Sequence, residues 1–222
     1  MQNIIVDFFT QKYEKKINKG ILYYTFPKKE VTTYIEQVIY EPVDRFVAYI
    51  KESNVKNKIE PGDVIQFSNI KDATINFCEK VNKINNPGLN FQEVGKLLQD
   101  DGINRKIGAY VKYGENHTKT AQALGLAFEL CNTYYLSGIG YIFMELSEEN
   151  REKLLTRLIL RSKLFTSMIQ ASVNGKVNMR EFLYKLSDST YVRRRSNIKK
   201  MMAYLTQSNE YDFTKFIDNI EF

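Results

Sequence analysis

The sequence predicts a mainly α-helical protein with small β-hairpins, an α+β class, preceded by a small N-terminal domain of mixed α/β type. The 222 residues are 43% hydrophobic and 26% charged, which is typical of an ordinary globular chain. Apolar residues recur at helical spacing through most of the second half. The strongest turn signal, Asn85-Asn86-Pro87-Gly88, predicts a domain boundary. We therefore expect domains at 1–86, 87–146 and 147–222.

The first 86 residues alternate between helical and strand-like patterns. A helix-like opening and a strand precede Pro27, helices flank Pro42, and a second strand follows the turn Pro61-Gly62. The expected helices are 4–16, 30–39, 43–50 and 73–84, and the expected strands are 21–26 and 63–67. The topology of this domain is not determined by the pattern, and we expect it to serve dimerisation or partner docking.

The second domain shows helices followed by paired β-type runs. One helix is marked by Phe91, Val94 and Leu98, a second is capped by Asn104 and ended by Gly114, and a third runs over 116–124. Two β-type runs follow, at 126–133 and 134–136. Short helices followed by a hairpin are the order of a winged helix, in which the last helix enters the major groove and the hairpin lies near the DNA backbone.

The third domain repeats the helical part of that order. A long amphipathic helix at 147–160 leads to a helix over 164–171, and Asn178 is expected to cap the next one with Glu181 at its third position. Ser187-Asp188-Ser189 opens a final helix that runs to Leu205. No second hairpin is predicted, and the tail 211–222 is expected to form a terminal helix or to pair with a partner subunit.

The positive charge is concentrated in one segment. Residues 150–200 carry 13 Lys and Arg against 3 acids, a local net charge of +10, whereas residues 1–149 carry 18 basic against 19 acidic residues. A concentrated basic surface suits a phosphate backbone, because neutralised phosphates release condensed counterions. A solvated basic surface and a contact with anionic lipid are the alternatives that charge alone leaves open.

Several classes of protein are excluded by composition. The single histidine, His117, cannot supply a histidine-rich zinc site or a paired-histidine mechanism. Cys78 and Cys131 stand far apart in apolar surroundings and are expected to be buried, reduced thiols. No metal site and no cofactor are predicted. The chain shows neither a signal peptide nor a membrane span, so we expect a cytoplasmic protein with no membrane partner.

An ordered series of motifs between Leu89 and Gln207 resembles a known family. Four motifs occur in the order seen in the winged-helix domains of type II restriction endonucleases. They are the run 105–126, which ends in Leu124-Gly125-Leu126, the strand end 135–140, the basic leucine-rich helix 154–164 and the run 186–195. The resemblance implies tandem winged helices that recognise DNA. It implies a recognition subunit or regulator of a restriction system, with double-stranded DNA as partner and a homodimer or a separate nuclease subunit as further possibilities.

The resemblance does not bring a nuclease site with it. Such enzymes carry a metal-binding Asp and an acid-x-Lys pair, and the only acid-x-Lys triplet here is Glu14-Lys15-Lys16, with Asp7 as the sole upstream acid. Seven residues leave little room for the strands that would bring both carboxylates to one metal. We predict no catalytic residue. A small Mg²⁺-dependent type II restriction endonuclease stays as the alternative, and a winged-helix module that binds proteins is the third hypothesis.

The predicted DNA-contacting residues belong to the two expected recognition helices. Arginine forks bind guanine, and Asn or Gln pairs with adenine, whereas residues at the preceding turn contact phosphates. The first set is Arg105, Lys106, Lys112, Tyr113, Asn116, His117, Lys119 and Gln122. The second set is Thr190, Arg193, Arg194, Arg195, Asn197 and Lys199. Three consecutive arginines point around more than half a helical turn, so at most two of them are expected to face a groove.

Overall fold

The computed structural model describes residues 14–18, 21–52, 59–66, 68–173, 175–207 and 218–222. These residues are mostly helical with three small two-stranded sheets, which confirms the predicted class of a mainly α protein with small β-hairpins. They fall into two compact units, one drawn from the ranges 1–38 and 67–151 and the other from 39–66 and 152–222. None of the helices in the described ranges has the length and hydropathy that a membrane crossing requires.

The first unit contains most of the short strands. Its elements, in chain order, are β1 (Glu14–Asn18), β2 (Ile21–Thr25), α1 (Lys28–Tyr40), α3 (Ile70–Ala73), α4 (Ile75–Lys83), α5 (Phe91–Leu98), α6 (Ile107–Ala123), β3 (Ala127–Leu130), β4 (Thr133–Leu136) and α7 (Gly138–Glu145). α1 continues past this unit to Tyr40. Helix α2 (Val43–Glu52), which follows α1 in the chain, belongs to the second unit. The core of the first unit is formed by Phe77, Cys78, Val94, Leu124, Leu126 and Leu136.

The hairpin of β3 and β4 is tied to the segment before α5. The two strands pair antiparallel around Cys131 and Asn132, which both have positive φ as a tight two-residue turn requires. Leu89 forms an antiparallel bridge with Tyr134, with N–O distances of 3.0 and 2.9 Å in the two directions. β4 therefore lies between β3 and Leu89. Along the chain, α4 is followed by the bridge residue Leu89, then by α5 and α6, and then by the β3–β4 hairpin.

Helices α5 and α6 approach each other backbone to backbone. A Cβ atom on Gly114 would lie 1.8 Å from the carbonyl oxygen of Phe91, and one on Gly95 would lie 1.9 Å from that of Tyr110. Only glycine fits at both positions. The prediction that Gly114 ends a helix was wrong, because α6 runs unbroken from Ile107 to Ala123. The glycine instead allows the close crossing of the two helices.

The second unit is built on longer helices. Its elements are α2 (Val43–Glu52), a short 3₁₀ turn (Pro61–Asp63), α8 (Glu148–Leu160), which begins in the first unit, α9 (Lys163–Val173), β5 (Val177–Asn178), α10 (Met179–Phe182), α11 (Asp188–Gln207) and β6 (Ile220–Glu221). Asn178 caps α10, since its side chain accepts bonds from the backbone of Arg180 and Glu181, as predicted. The core includes Phe46, Ile159, Phe165, Met168, Leu183, Ile198 and Met201.

The segment 59–66 is held to the helices of the second unit by polar contacts. The Lys163 ammonium lies 2.6 Å from the Asp63 carboxylate. The Arg194 guanidinium donates to the carbonyl oxygen of Val64 at 2.7 Å. Because Val64 is almost fully buried, the bond from Arg194 satisfies a carbonyl group that solvent reaches poorly.

Three further expectations differ from the structure. Glu14–Lys16, the described end of the expected helix 4–16, lies in β1 and pairs with β2, and the rest of that helix falls outside the described residues. Residues 61–63 form a 3₁₀ turn, and 64–66 form no strand. In the tail, Ile220–Glu221 pairs parallel with β5, while 211–217 lie outside the described residues.

The two thiols are both free but differ in environment. Cys78 is fully buried, as expected, and burial raises the pKa of its thiol well above the ordinary value. Cys131 is exposed at the hairpin turn, so the expectation of a buried thiol was wrong at this position. The turn places the Cys131 side chain outside the apolar core to which β3 and β4 contribute.

The compact units have different bounds from the predicted domains. Residues 39–66 group with the C-terminal part of the chain, and 67–86 group with the helices and hairpin that follow. Both points at which the chain leaves the first unit fall inside helices, α1 and α8. The turn at Asn85-Asn86 does exist, with positive φ at both residues, but it lies within the first unit.

Candidate nucleic-acid interface

Helix α11 has one buried face and one polar, basic face. Tyr191, Ile198 and Met201 are buried, which follows the helical spacing of the apolar residues. The opposite face exposes hydroxyl, aliphatic and basic side chains. These exposed residues are Ser189, Val192, Arg193, Ser196, Lys199 and Lys200.

The three consecutive arginines point in three directions, because each helical residue advances the side chain by about 100°. Arg193 is exposed, and its guanidinium donates to two groups of its own helix, the Ser189 carbonyl at 3.3 Å and the Thr190 hydroxyl at 3.4 Å. Arg194 is half-buried and bound to Val64. Arg195 is half-buried as well. Of the three, Arg193 is the exposed one.

Three other predicted residues of this helix have distinct environments. Asn197 is only 6% exposed, so its amide does not reach the surface and it is removed from the set of candidate base-contacting residues. Thr190 is half-buried, and its hydroxyl oxygen accepts a bond from Ser187 at 2.9 Å. The Lys199 ammonium is exposed and lies 4.7 Å from the centre of the Phe222 ring.

Acidic residues are nearly missing from α11. Asp188, at the first position, is the only acid in the helix, and its carboxylate lies 2.7 Å from the Arg180 guanidinium. The remaining charged residues of the helix are all basic. The exposed face of α11 is therefore a positively charged surface that no carboxylate of the same helix neutralises.

Much of the remaining charge in residues 150–200 is used within the second unit. Buried Arg157 donates to the carbonyl oxygen of Glu41 at 2.7 Å. Several other cations form ion pairs with acids of the same unit. These pairs are Arg161 with Glu41, Lys163 with Asp63, Lys176 with Glu221 and Lys185 with Glu60. The local charge counted from the sequence therefore overstates the charge that is free to meet a ligand.

Helix α6 also has an outward polar face, but its cations are paired. Lys112 and Lys119 are exposed, and their ammonium groups lie 2.9 and 2.7 Å from the same carboxylate, that of Glu115. The two lysines, Lys119 first, lower the pKa of Glu115. Asn116 and Gln122 are half-buried on adjoining positions of this face. The face can offer amides to base edges, but with little net charge.

Two predicted residues lie before α6. The Arg105 guanidinium binds the Asp101 carboxylate through both terminal nitrogens, and this pairing lowers the pKa of Asp101 to about 2. Lys106 is exposed at the start of the helix. Lys106 is therefore better placed than Arg105 to meet a phosphate.

His117 is a buried structural residue. Its side chain is 0% exposed, so it is removed from the candidate base-contacting set. Nδ1 lies 2.7 Å from the carbonyl oxygen of Tyr113, which can only accept, so Nδ1 carries the proton. Nε2 then accepts from the Ser68 hydroxyl at 3.1 Å and lies 3.4 Å from the backbone nitrogens of Ser68 and Asn69.

The surroundings of His117 favour its neutral form. Desolvation by burial lowers its pKa, against smaller opposing effects of the Tyr113 carbonyl and the Asp72 charge. Tyr113 is half-buried, and its hydroxyl donates to Asp72. Burial, together with that bond, raises the pKa of Tyr113 to about 12. His117 and Tyr113 thus attach α6 to the segment 68–72.

The hairpin carries no cation. Residues 127–136 contain Glu129 and no Lys or Arg, and Leu130 at the end of β3 is 40% exposed. A winged-helix hairpin that lies along a DNA backbone needs positive or neutral donors at its tip. The sequence-based expectation that this hairpin rests against DNA gains no support from its charge.

The residues of the alternative nuclease site lie in β1 or before it. Glu14, Lys15 and Lys16 form part of that strand, but their side chains, and the whole of Asp7, fall outside what the structure describes. Among the described residues, no group of three or more His, Cys, Asp or Glu side chains is arranged to hold a metal ion.

Sequence reasoning missed four members of the α11 face: Ser189, Val192, Ser196 and Lys200. Ser189 and Ser196 lie four and three residues from Arg193, Lys200 lies seven residues from it, and Val192 lies three residues from Ser189. This helical spacing was the signal that could have found them, because residues at such intervals share a helix face. No protein-family model matches the chain, and the comparisons with curated proteins and with solved structures found no match either.

Proposed function

We propose that this chain binds double-stranded DNA, with α11 as the principal contact and α6 as the second, and that it acts as a recognition subunit or regulator of a restriction system. The observation that carries the proposal is the exposed basic face of α11, where Arg193, Lys199 and Lys200 lie on a helix whose single acid is paired with Arg180. Cations on one helix face can neutralise phosphates on both sides of a groove.

The order of elements supports a winged-helix arrangement in the first unit. Helix α4, the bridge residue Leu89, helices α5 and α6, and the β3–β4 hairpin follow one another as in a winged helix, with α6 in the position of the recognition helix. In the second unit, α9, β5, α10 and α11 repeat the helical part of that order, and α11 takes the position of the recognition helix.

The proposal is tested by the salt dependence of duplex binding. Full-length protein is titrated into a labelled mixed-sequence duplex at several KCl concentrations, and the slope of log affinity against log salt is measured. Each neutralised phosphate contributes a slope of about 0.9. We expect the Lys199→Gln plus Lys200→Gln variant to lose roughly two such contacts, a slope change of about 1.8.

A charge-matched control separates a local contact from a net-charge effect. Lys51, exposed on α2, and Lys176, exposed before β5, belong to the same unit as α11. The Lys51→Gln plus Lys176→Gln variant should keep the wild-type slope. Equal losses in both variants would mean that only net charge matters and would contradict a contact by α11.

The same titration bears on the alternatives. Incubation of the duplex with Mg²⁺ reports strand ends if the chain is a restriction endonuclease, the alternative that depends on Asp7 and Glu14. Absence of binding to any duplex at low salt would contradict the proposal and favour the protein-interaction module. Ile103, which is 58% exposed before α6, and Ile107, which is 63% exposed at its first position, would then be the first residues to test as a protein contact.

A further inference from the structure

The first two turns of α11 present a compact surface of four residues. Ser189, Val192, Arg193 and Ser196 are all exposed. Their spacing of i, i+3, i+4 and i+7 places them on one face of the helix. We call these four residues the α11 patch. It combines one guanidinium, one isopropyl group and two hydroxyls, with no carboxylate.

Val192 is 59% exposed in the centre of this polar surface. Burial in the core does not explain the residue, since Tyr191 and Ile198 supply the apolar contacts of this part of the helix. Helix propensity does not explain it either, because β-branched residues are weaker helix formers than most. Its two methyl groups are available to an apolar group of a ligand.

Arg193 is held by its own helix and by no acid. Its guanidinium bonds the Ser189 carbonyl and the Thr190 hydroxyl, both at the long end of hydrogen-bond range. Among the described residues, no carboxylate pairs with it, in contrast to Arg105 and Arg180. Its remaining donors are therefore directed to solvent and can form a bidentate contact.

We propose that Val192 and Arg193 read sequence in the major groove, with Val192 against a thymine methyl group and Arg193 bidentate to O6 and N7 of a guanine on a neighbouring base pair. This inference rests on the proposed function of duplex binding by α11. The guanidinium fork matches guanine, and an apolar side chain matches the C5 methyl that distinguishes thymine. Ser189 and Ser196 flank the pair and can bond either kind of base edge.

The position in the helix fits base contact better than backbone contact. Recognition helices contact base edges with residues near their N-terminal end. Val192 and Arg193 lie in the second turn of α11, whereas Lys199 and Lys200 lie two turns further on. We therefore assign base reading to the patch and phosphate binding to the two lysines.

The test begins with selection of bound duplexes from a random library by the full-length protein. In the selected site, each thymine is replaced in turn by uracil, which lacks the 5-methyl group, and each guanine by 7-deazaguanine, which lacks N7. Affinities of wild type and variants are measured for every duplex. Removal of one buried methyl corresponds to about 0.8 kcal/mol, so one uracil replacement should weaken wild-type binding about fourfold.

Val192→Ala should show the same loss on the thymine duplex and no further loss on that uracil duplex. Val173→Ala, which truncates a valine 48% exposed on α9, is the matched control and should retain the full uracil effect. Arg193→Lys keeps the charge but not the fork. It should lose discrimination at one guanine by about tenfold or more while the salt slope stays unchanged.

Each outcome decides something distinct. Additive effects of Val192→Ala and every uracil replacement would overturn the assignment of Val192. Full sensitivity to 7-deazaguanine in Arg193→Met, which has no group that can donate to N7, would overturn the assignment of Arg193 and leave it as a phosphate contact. A library in which no sequence is enriched, despite salt-dependent binding, would overturn base reading alone, whereas absence of any binding would overturn the proposed function as well.

Discussion

Helices α6 and α11 both carry cations on an exposed face, but they differ in what those cations contact. In α6, Lys112 and Lys119 share the carboxylate of Glu115. In α11, Arg193 pairs with no carboxylate of the described residues, and Asp188 is bound by Arg180 at the helix start. Similar sequence patterns therefore give one nearly neutral face and one positive face.

The two helices also differ in how they are anchored. α6 is fixed by close backbone packing at Gly114 and by the buried hydrogen bonds of His117, so most of its distinctive residues have structural roles. α11 is fixed by apolar side chains and by Arg194, and one face of its N-terminal turns is polar and exposed. The difference indicates that polar residues on a helix identify an interface only after their internal partners are known.

The largest loss of folding stability is expected from a substitution where α5 and α6 cross. Gly114→Ala would place a methyl group 1.8 Å from the Phe91 carbonyl oxygen, so the helices must separate. We expect a loss of roughly 3 kcal/mol in the free energy of unfolding, measured by urea denaturation. Gly108→Ala is the control, because its Cβ would meet nothing within 4 Å, and it should stabilise the helix by about 0.5–1 kcal/mol.

The second largest loss of folding stability is expected from the removal of the His117 side chain. His117→Ala leaves the Tyr113 carbonyl and the donors of residues 68–69 without this partner, and we expect a loss of roughly 2 kcal/mol in the free energy of unfolding. The structural role would be contradicted if thermal and urea unfolding of this variant matched wild type while DNA binding was lost.

His117 also gives a pH dependence. The pKa of His117 is lowered in the folded protein, so below about pH 6.5 the unfolded chain binds this proton more readily than the folded one. The associated stability is present above that pH and is lost as the pH falls towards the folded-state pKa. His117→Gln should therefore show a smaller decline in unfolding free energy between pH 7 and pH 5 than wild type.

A smaller change in folding stability should distinguish two neighbouring arginines of α11. Arg194→Met removes the donor to the buried Val64 carbonyl, and we expect a loss of about 1–2 kcal/mol in unfolding free energy. Arg193→Met removes only contacts within its own exposed helix turn and should stay within about 0.5 kcal/mol of wild type. Duplex affinity should show the reverse order, with Arg193→Met the weaker binder.

The smallest effect tests the neutral face of α6. Glu115→Gln releases Lys112 and Lys119 from their shared partner without a change in side-chain size. We expect duplex affinity at low salt to rise about two- to threefold, because surface ion pairs of this kind contribute well under 1 kcal/mol. Glu93→Gln, on the adjacent helix α5, removes the same charge and should change affinity less. Equal rises in both variants would mean that α6 does not approach DNA.

Local structure was largely predictable. The periodicity of the apolar residues predicted α8, α9 and α11, and the paired β-type runs predicted the hairpin of β3 and β4, whereas α7 was not predicted. The residue Asn178 was predicted as a helix cap and is one. These features depend on residues close together in the chain, so their signals are local.

The arrangement of the compact units was not predictable. The chain leaves the first unit inside α1 and again inside α8, within continuous helices that contain no proline or glycine. Gly114 misled the prediction in the opposite way. Glycine usually weakens a helix, but here it lies inside a continuous helix because the backbone of Phe91 packs against it. Contacts between distant residues decide both features.

The sequence by itself determined the helical class, the hairpin, the concentration of basic residues in 150–200 and the polar character of α6 and α11. Only the tertiary structure decided that His117 and Asn197 are buried, that Arg194 is bound to Val64, and that Arg193 stays exposed with Val192 beside it. The physical reason is that a charge or a polar group acts on a ligand only if no partner within the fold has already satisfied it, and those partners come from distant parts of the chain.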